Sequence, residues 1–237
     1  MMNSAAATPS TPHTPCFLPK GWMVALLFVV LLGQSVTAQR IDSLRCDYDH
    51  SFRWQQTIAP AALMATGATI TLVPSLHTNL DGGLHDWSQL DGHPRLEIED
   101  YIQYVPCASV LLLKACGVDS KHNWRDIICL GAGSTLLAFG IGTGLKYSLR
   151  VERPYGGVFN SFPSGHTITA FMGAELLRRE YGEDYPYIAI AGYTIATGVG
   201  LMRIYNNRHW ASDILAGAGV GILSASIMYW LSPYLRF

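Results

Sequence analysis

His209 and Asp213 stand four residues apart in the C-terminal part of the chain, where an apolar segment begins. On a helix this spacing places both side chains on one face. The carboxylate can then hold one imidazole nitrogen and leave the other free as a nucleophile. A chance helix pair has the same spacing, so the interpretation as a catalytic dyad depends on what lies nearby.

A second histidine follows a proline, a serine and a glycine within residues 162–167. Proline and serine ahead of an apolar segment are typical of a helix start, where free backbone N–H groups and the positive end of the helix dipole attract anions. Gly165 allows a ligand to approach the backbone closely. His166 is placed to protonate a departing oxygen. An ordinary cap formed by Ser164 beside a histidine with no role is the alternative.

Three cations, Lys146, Arg153 and Arg203, stand close to the ends of apolar segments. Brought together, they would repel one another unless an anion neutralised them, and guanidinium groups match phosphate oxygens with two hydrogen bonds. Any one of them alone is typical of a basic side chain at a membrane helix end. Their coincidence with two histidine clusters favours a phosphate site.

A divalent metal held by His166, His209 and Asp213 is a further interpretation, but the nearby cations would oppose it. The five cysteines form no CxxC pair and no Cys/His spacing typical of zinc. We therefore expect neither a metal nor another cofactor.

The reactive residues stand at the ends of apolar segments, and these segments must position them. Several approach the roughly 20 residues that a helix needs to cross about 30 Å of hydrocarbon. The expected fold is all-α, an antiparallel membrane helical bundle of about five to six core helices. In such a bundle the end of one helix lies beside the start of the next, so the three clusters meet at one end. The segments are 57–75, 101–117, 127–145, 166–177, 187–204 and 212–231.

Two pairs of glycines at a spacing of four, Gly140 with Gly144 and Gly217 with Gly221, predict close packing between helices of this bundle. Flexibility without packing is the alternative for either pair.

The composition agrees with a membrane bundle and excludes other classes. The chain has 237 residues, of which 49% are apolar and 14% charged, too apolar for a disordered chain. Its 16 basic residues stand against 17 acidic ones, so we expect no nucleic-acid partner. A soluble relative of the fold, with the same helices buried against one another, is the alternative to a membrane location.

The N-terminal part of the chain has a different character. An apolar run at 22–32 follows Lys20 and leads to small residues that end at Ala38, which predicts a signal peptide cleaved there or an N-terminal anchor. The predicted organisation is this leader at 1–38, a polar connecting segment at 39–56 and a helical domain at 57–237.

Together, the three clusters resemble the signature of the type 2 phosphatidic acid phosphatase superfamily. That signature is a lysine, six residues and Arg-Pro, then Pro-Ser-Gly-His, then Ser-Arg, five residues, a histidine, three residues and an aspartate. The spacing matches in all three parts, with one departure, since Met202 stands where the family has the serine before the arginine. The matching residues are Lys146, Arg153, Pro154, Pro163, Ser164, Gly165, His166, Arg203, His209 and Asp213.

The resemblance implies a metal-independent lipid phosphatase. His209 would attack phosphorus to form a phosphohistidine, Asp213 would orient it, and His166 would protonate the leaving group and later activate water. The phosphoryl oxygens would be held by Lys146, Arg153, Ser164, Gly165 and Arg203.

A phosphate carried on a lipid suits a pocket at the mouth of a membrane bundle, because the acyl chains stay in hydrocarbon. Within the family, lipid A and undecaprenyl pyrophosphate are the favoured substrates. Phosphatidylglycerophosphate, phosphatidate or a broad acid phosphatase activity are the alternatives. The expected partners are this phospholipid or isoprenoid lipid phosphate and the membrane, whereas the oligomeric state is not indicated.

The charge pattern predicts the orientation of the site. Basic residues at 114–125 and 178–179 favour the cytoplasm by the positive-inside tendency, which places the site in the periplasm of a bacterial inner membrane. A cleaved leader combined with a full span at 57–75 would reverse this result. Pro60 and Pro74 make 57–75 the weakest span, so it is expected to be re-entrant, interfacial or packed on the bundle.

Two other functions compete with a phosphatase. A vanadate-dependent haloperoxidase shares the fold and much of the signature, and a silent phospholipid-binding protein needs no chemistry. Vanadate should inhibit a phosphatase, whereas a haloperoxidase should gain halide oxidation. A silent binding protein should keep its lipid after loss of the His209 imidazole.

Overall fold

The fold is that of a computed structural model, which describes residues 53–88 and 97–235. The expected leader at 1–38 and residues 39–52 of the connecting segment lie outside the described residues.

All regular structure in the two described ranges is helical, as predicted. A bent segment, Pro74–Ser88, contains short helical turns and follows the first long helix at an angle of 91°. The labelled helices are α1 (Gln55–Leu72), α2 (Glu99–Ile102), α3 (Val105–Ala115), α4 (Trp124–Leu149), α5 (Gly165–Tyr181), α6 (Pro186–Tyr205) and α7 (Ala211–Leu235).

Local sequence signals fix where the helices begin and end. Asn123 caps α4 by accepting a hydrogen bond from the N–H of Asp126 at 3.0 Å. The helix ends at Arg150, whose φ of 48° is left-handed. Pro186 is the first residue of α6, where its missing N–H costs no helical hydrogen bond.

The long helices run alternately between two ends of the bundle. We define the site end by the C-termini of α4 and α6 and the N-termini of α5 and α7, and the far end by their opposite termini. α1 lies antiparallel to α7, since Trp230 Nε1 donates to Gln56 Oε1 at 3.0 Å near the far end. Gly67 lies against the backbone of Ser212 near the site end. The six helices α1 and α3 to α7 therefore form the antiparallel bundle that the sequence predicts.

α5 is the central helix of the bundle, because it packs against α3, α4, α6 and α7. Apolar side chains such as Phe171 and Met172 are buried among these neighbours. Full burial of one such side chain contributes roughly 1.5–3 kcal/mol. The central position of α5 places its first turn among the ends of its neighbours.

One of the two glycine pairs confirms the prediction of close packing. A methyl group on Gly217 would lie 2.9 Å from the backbone oxygen of Ser164, and one on Gly221 would clash with the backbone oxygen of Ile168. The prediction is wrong for Gly140 and Gly144, which have nothing within 4 Å of a built methyl group. Both are exposed on an outer face of α4.

The lengths and hydrophobicity of the helices support a membrane bundle. α4, α6 and α7 are each long and apolar enough to cross a membrane, and α1 with the bent segment is a fourth candidate. The expected segment 57–75 thus corresponds to α1, which is packed along α7.

Candidate active site

The dyad predicted from spacing forms where the loop before α7 meets its first turn. His209 Nδ1 lies 3.2 Å from Asp213 Oδ2, and both side chains are buried. Asp213 Oδ2 also accepts a hydrogen bond from the N–H of Trp210 at 2.9 Å. His209 therefore precedes the helix, and Asp213 folds back on the loop instead of sharing a helix face with the histidine. Nε2 is the ring nitrogen left for chemistry.

Ser161 is a third member of this cluster, and the motif reasoning missed it. Its hydroxyl donates to Asp213 Oδ2 and lies 3.4 Å from His209 Nδ1. The side chain is fully buried. Because Ser161 lies in the loop before α5, it ties the loop that carries Ser164 to the dyad.

The environment of His209 favours its neutral form. Burial lowers the pKa of His209 to about 4, against the opposing effect of Asp213, and the charges of Lys146 and Arg153 lower it further. At neutral pH the imidazole is unprotonated, so a lone pair is available on Nε2 for attack.

The first turn of α5 has the geometry expected of a helix cap. Ser164 Oγ accepts hydrogen bonds from the N–H of Thr167 at 3.5 Å and from the Thr167 hydroxyl at 3.0 Å. The N–H of Ser164 donates to the backbone oxygen of Asp213 at 3.1 Å. A methyl group built on Gly165 would meet nothing within 4 Å, so an anion can approach this turn.

Two of the predicted cations are held by one loop residue. Lys146, in the last turn of α4, donates from Nζ to the backbone oxygen of Asn160 at 2.7 Å and to that of Ser161 at 3.4 Å. Arg153 Nε donates to Asn160 Oδ1 at 2.8 Å. The site thus gathers Lys146 and Arg153 beside the dyad.

The third cation is paired with carboxylates that the sequence reasoning did not assign to the site. Arg203 Nη1 lies 3.2 Å from Glu99 Oε1 and 3.3 Å from Asp100 Oδ1. Asp100 Oδ1 also lies 2.7 Å from His166 Nε2. Burial and the charge of Arg203 lower the pKa of His166, whereas Asp100 and Glu99 act in the opposite direction.

A small cavity of about 140 Å³ opens beside these groups. Arg203 Nε and Glu99 Oε2 are buried and have no hydrogen-bond partner within the described ranges. The free guanidinium N–H can donate to an oxygen of a bound anion. The lining residues are Glu97, Glu99, Asp100, Arg203, Asn206 and Arg208.

A carboxylate of the bent segment binds Ser212, the residue that precedes Asp213 of the dyad. Asp81 is buried and accepts hydrogen bonds from the N–H of Ser212 at 3.0 Å and from its hydroxyl at 2.5 Å. His77 Nδ1 lies 2.9 Å from the same carboxylate. A negative charge at a helix N-terminus is favourable, so Asp81 caps α7 next to Asp213.

Over 53–88 and 97–235, no three His, Cys, Asp or Glu side chains group at a metal-binding geometry.

The geometry places all eight predicted residues, from Lys146 to Asp213, at the site end. Residues 124–237 match the PAP2 superfamily. This part of the chain therefore belongs to the type 2 phosphatidic acid phosphatase superfamily, as the three motifs predict. All eight residues lie inside the match, whereas Asp81, Glu99 and Asp100 precede it.

Two curated relatives resemble part of the chain. A Lipid A 1-phosphatase of Porphyromonas gingivalis is 42% identical over 140 residues, which are 59% of this chain and 32% of that protein. The Bacitracin transport permease protein BcrC of Bacillus licheniformis is 37% identical over 81 residues, 33% of this chain and 36% of that protein. The chain spans about a third of the length of these curated relatives.

A solved structure shares the fold. The transmembrane PAP2 type phosphatidylglycerolphosphate phosphatase from Bacillus subtilis aligns with a TM-score of 0.51 and 23% identity. The alignment covers 76% of this chain and 98% of that chain. It supports the helical fold of the superfamily.

Proposed function

We propose that the protein is a metal-independent phosphatase that removes phosphate from a lipid phosphate through a phosphohistidine. The observation that carries the proposal is the buried His209, which faces Asp213 at the end of the bundle where Lys146, Arg153 and Arg203 also lie. A nucleophile without charge beside three cations suits attack on an anionic phosphoryl group.

In the first step, His209 Nε2 forms a bond to phosphorus while the bond from phosphorus to the lipid oxygen breaks. The electron pair of that bond stays on the lipid oxygen, which takes a proton from His166. Asp213 stabilises the positive charge that develops on His209, because its carboxylate faces Nδ1.

In the second step, neutral His166 takes a proton from water as the water oxygen attacks phosphorus. The bond from phosphorus to Nε2 breaks, and its electron pair returns to His209, so both histidines regain their starting states. Lys146, Arg153 and Arg203 balance the charge on the phosphoryl oxygens in both transition states.

A lipid A phosphate or undecaprenyl pyrophosphate is the proposed substrate. The similarity to a lipid A 1-phosphatase over 140 residues supports the first of these. Exposed aromatic side chains at the site end, Tyr101, Tyr147 and Phe159, suit the membrane interface through which such a lipid would enter.

The site is proposed to face the periplasm of a bacterial inner membrane. The far end carries basic residues that the positive-inside tendency assigns to the cytoplasm. The basic residues are Arg53, Lys114, Lys121, Arg125, Arg178 and Arg179.

Phosphate release by the purified protein tests this function. Full-length protein in detergent with a chelator is offered lipid A, undecaprenyl pyrophosphate and phosphatidylglycerophosphate, with His209→Ala as the control. We expect release from at least one of the first two substrates and none from the variant. Release confined to small soluble esters would instead indicate a broad acid phosphatase, and release by the variant would contradict the phosphohistidine.

A further inference from the structure

Asp100 lies between the proposed acid and one of the proposed phosphate ligands. Its Oδ1 is 2.7 Å from His166 Nε2 and 3.3 Å from Arg203 Nη1. Glu99, the preceding residue on α2, approaches the same arginine at 3.2 Å and also accepts from Asn206 Nδ2. The acid and the arginine therefore share one carboxylate, which comes from outside the residues that match the superfamily.

Resting on the proposed function, we propose that Asp100 is a positioning residue that orients His166 for proton transfer, while Glu99 fixes Arg203 behind it. With Nε2 held by Asp100, Nδ1 is the ring nitrogen that delivers the proton. Each histidine of the site then has its own aspartate, Asp213 for the nucleophile and Asp100 for the acid.

The two carboxylates differ in ways that fit these two roles. Glu99 is 2% exposed and accepts hydrogen bonds from two buried side chains, Arg203 and Asn206. These contacts suit a residue that holds Arg203 in one position. The Asp100 side chain is 50% exposed at the edge of the cavity. Its charge is therefore near the space where a leaving group departs.

The proton balance requires a partner for the acid. When the bond from phosphorus to the lipid oxygen breaks, the oxygen keeps the electron pair and takes the proton from Nδ1 of the His166 imidazolium. The neutral ring then accepts a proton from the attacking water. A carboxylate at Nε2 stabilises the imidazolium form in which each cycle starts.

Charged groups around His166 set the sign of the pH effect. Arg203 on α6 disfavours the imidazolium, and Asp100 and Glu99 on α2 favour it. At this end of the bundle, α4 adds Lys146 and α7 adds Asp213. Without the Asp100 charge the pKa of His166 falls further, so the protonated acid is lost at a lower pH.

Asp100→Asn in the full-length protein tests the proposal with two substrates. General acid catalysis is worth about 10²- to 10⁴-fold, so we expect kcat for a lipid phosphate to fall at least tenfold, with KM little changed. For p-nitrophenyl phosphate, whose leaving group departs without a proton, the rate of p-nitrophenolate release in the first turnover should fall less than threefold. The alkaline limb of the kcat profile should move to lower pH, and Asp100→Glu should restore part of the rate.

The matched control is Asp184→Asn, an exposed aspartate near the far end, which should behave as wild type. An equal loss for both substrates, or unfolding of both Asp100 variants by thermal melting, would assign Asp100 a structural role and overturn the proposal. A lower KM with an unchanged or higher kcat would make it a competitor for the phosphate position. Absence of release by the wild-type protein would refute the proposed function itself, and this inference with it.

Discussion

The backbone N–H of Ser164 donates a hydrogen bond to the backbone oxygen of Asp213 at 3.1 Å. This bond joins the first turn of the helix that carries the acid to the first turn of the helix behind the nucleophile. Gly217 permits the contact, since a methyl group there would press on Ser164. Packing between the main chains of α5 and α7 thereby sets the position of His166 relative to His209.

Loss of the Ser161 hydroxyl should slow the chemical step. In Ser161→Ala, Asp213 loses a donor inside a buried cluster, and a hydrogen bond to a charged group is worth about 1.5–3 kcal/mol. We expect kcat to fall about tenfold or more, at about 1.4 kcal/mol per tenfold change in rate. Ser148→Ala, which removes a hydroxyl bound to Gly144 on α4, should leave kcat unchanged. Equal activities of the two variants would contradict a role for Ser161.

Arg153 should not tolerate a lysine. A guanidinium group contacts Asn160 through Nε and keeps other N–H groups for phosphate, whereas an ammonium group offers a single point of contact. We expect Arg153→Lys to lower kcat/KM about 10- to 100-fold, a loss of about 1.4–2.7 kcal/mol of transition-state binding. Arg125→Lys at the far end provides the matched comparison, and a similar loss there would indicate a general effect on folding.

The pH profile should report the low pKa of His209. Because His209 is the nucleophile only when neutral, the acid limb of kcat/KM should lie near a pH of about 4 instead of about 6.5. Removing a nearby positive charge with Lys146→Met should raise the pKa of His209 and move this limb to higher pH. A limb that stays in place would show that Lys146 does not act on the nucleophile.

The same pKa predicts acid destabilisation. His209 protonates at a higher pH in the unfolded chain than in the folded protein, so its contribution to stability is complete above about 6.5 and is lost as the pH falls toward about 4. Thermal melting in detergent across this range should show the decline. His209→Gln should show a smaller decline than the wild-type protein.

Gly221 and Gly140 offer a matched test of packing. Gly221→Ala places a methyl group against the backbone of α5, and overpacking of this kind costs about 1–3 kcal/mol. Gly140→Ala meets open space and gains helix propensity, worth up to about 1 kcal/mol. Melting temperatures should therefore move in opposite directions, and a drop of equal size in both would show that α7 does not need the glycine.

The sequence predicted those parts of the fold that depend on local sequence patterns. The apolar segment expected at 127–145 became α4 at Trp124–Leu149, because hydrophobic length and the Asn123 cap are local properties. The prediction was wrong at Gly140, since two glycines four residues apart do not show which face of α4 packs against a neighbour.

The acidic members of the site could not be predicted in the same way. Glu99 and Asp100 lie outside the three motifs, just before the apolar segment expected at 101–117. No motif distinguishes a carboxylate that faces solvent from one that pairs with Arg203 across the bundle. Ser161 likewise belongs to none of the three motifs, and only the fold shows that its hydroxyl donates to Asp213.

The cap that Asp81 places on Ser212 has a consequence for the smallest piece of this protein that can function. A fragment that begins at residue 124 would retain every residue of the three motifs. In this fragment the N–H of Ser212 would lose its acceptor Asp81, and Arg203 would lose the carboxylates that pair with it. The stretch that marks the family is therefore not self-sufficient in this chain. The segments before residue 124 supply carboxylates that hold residues of the motif region in place.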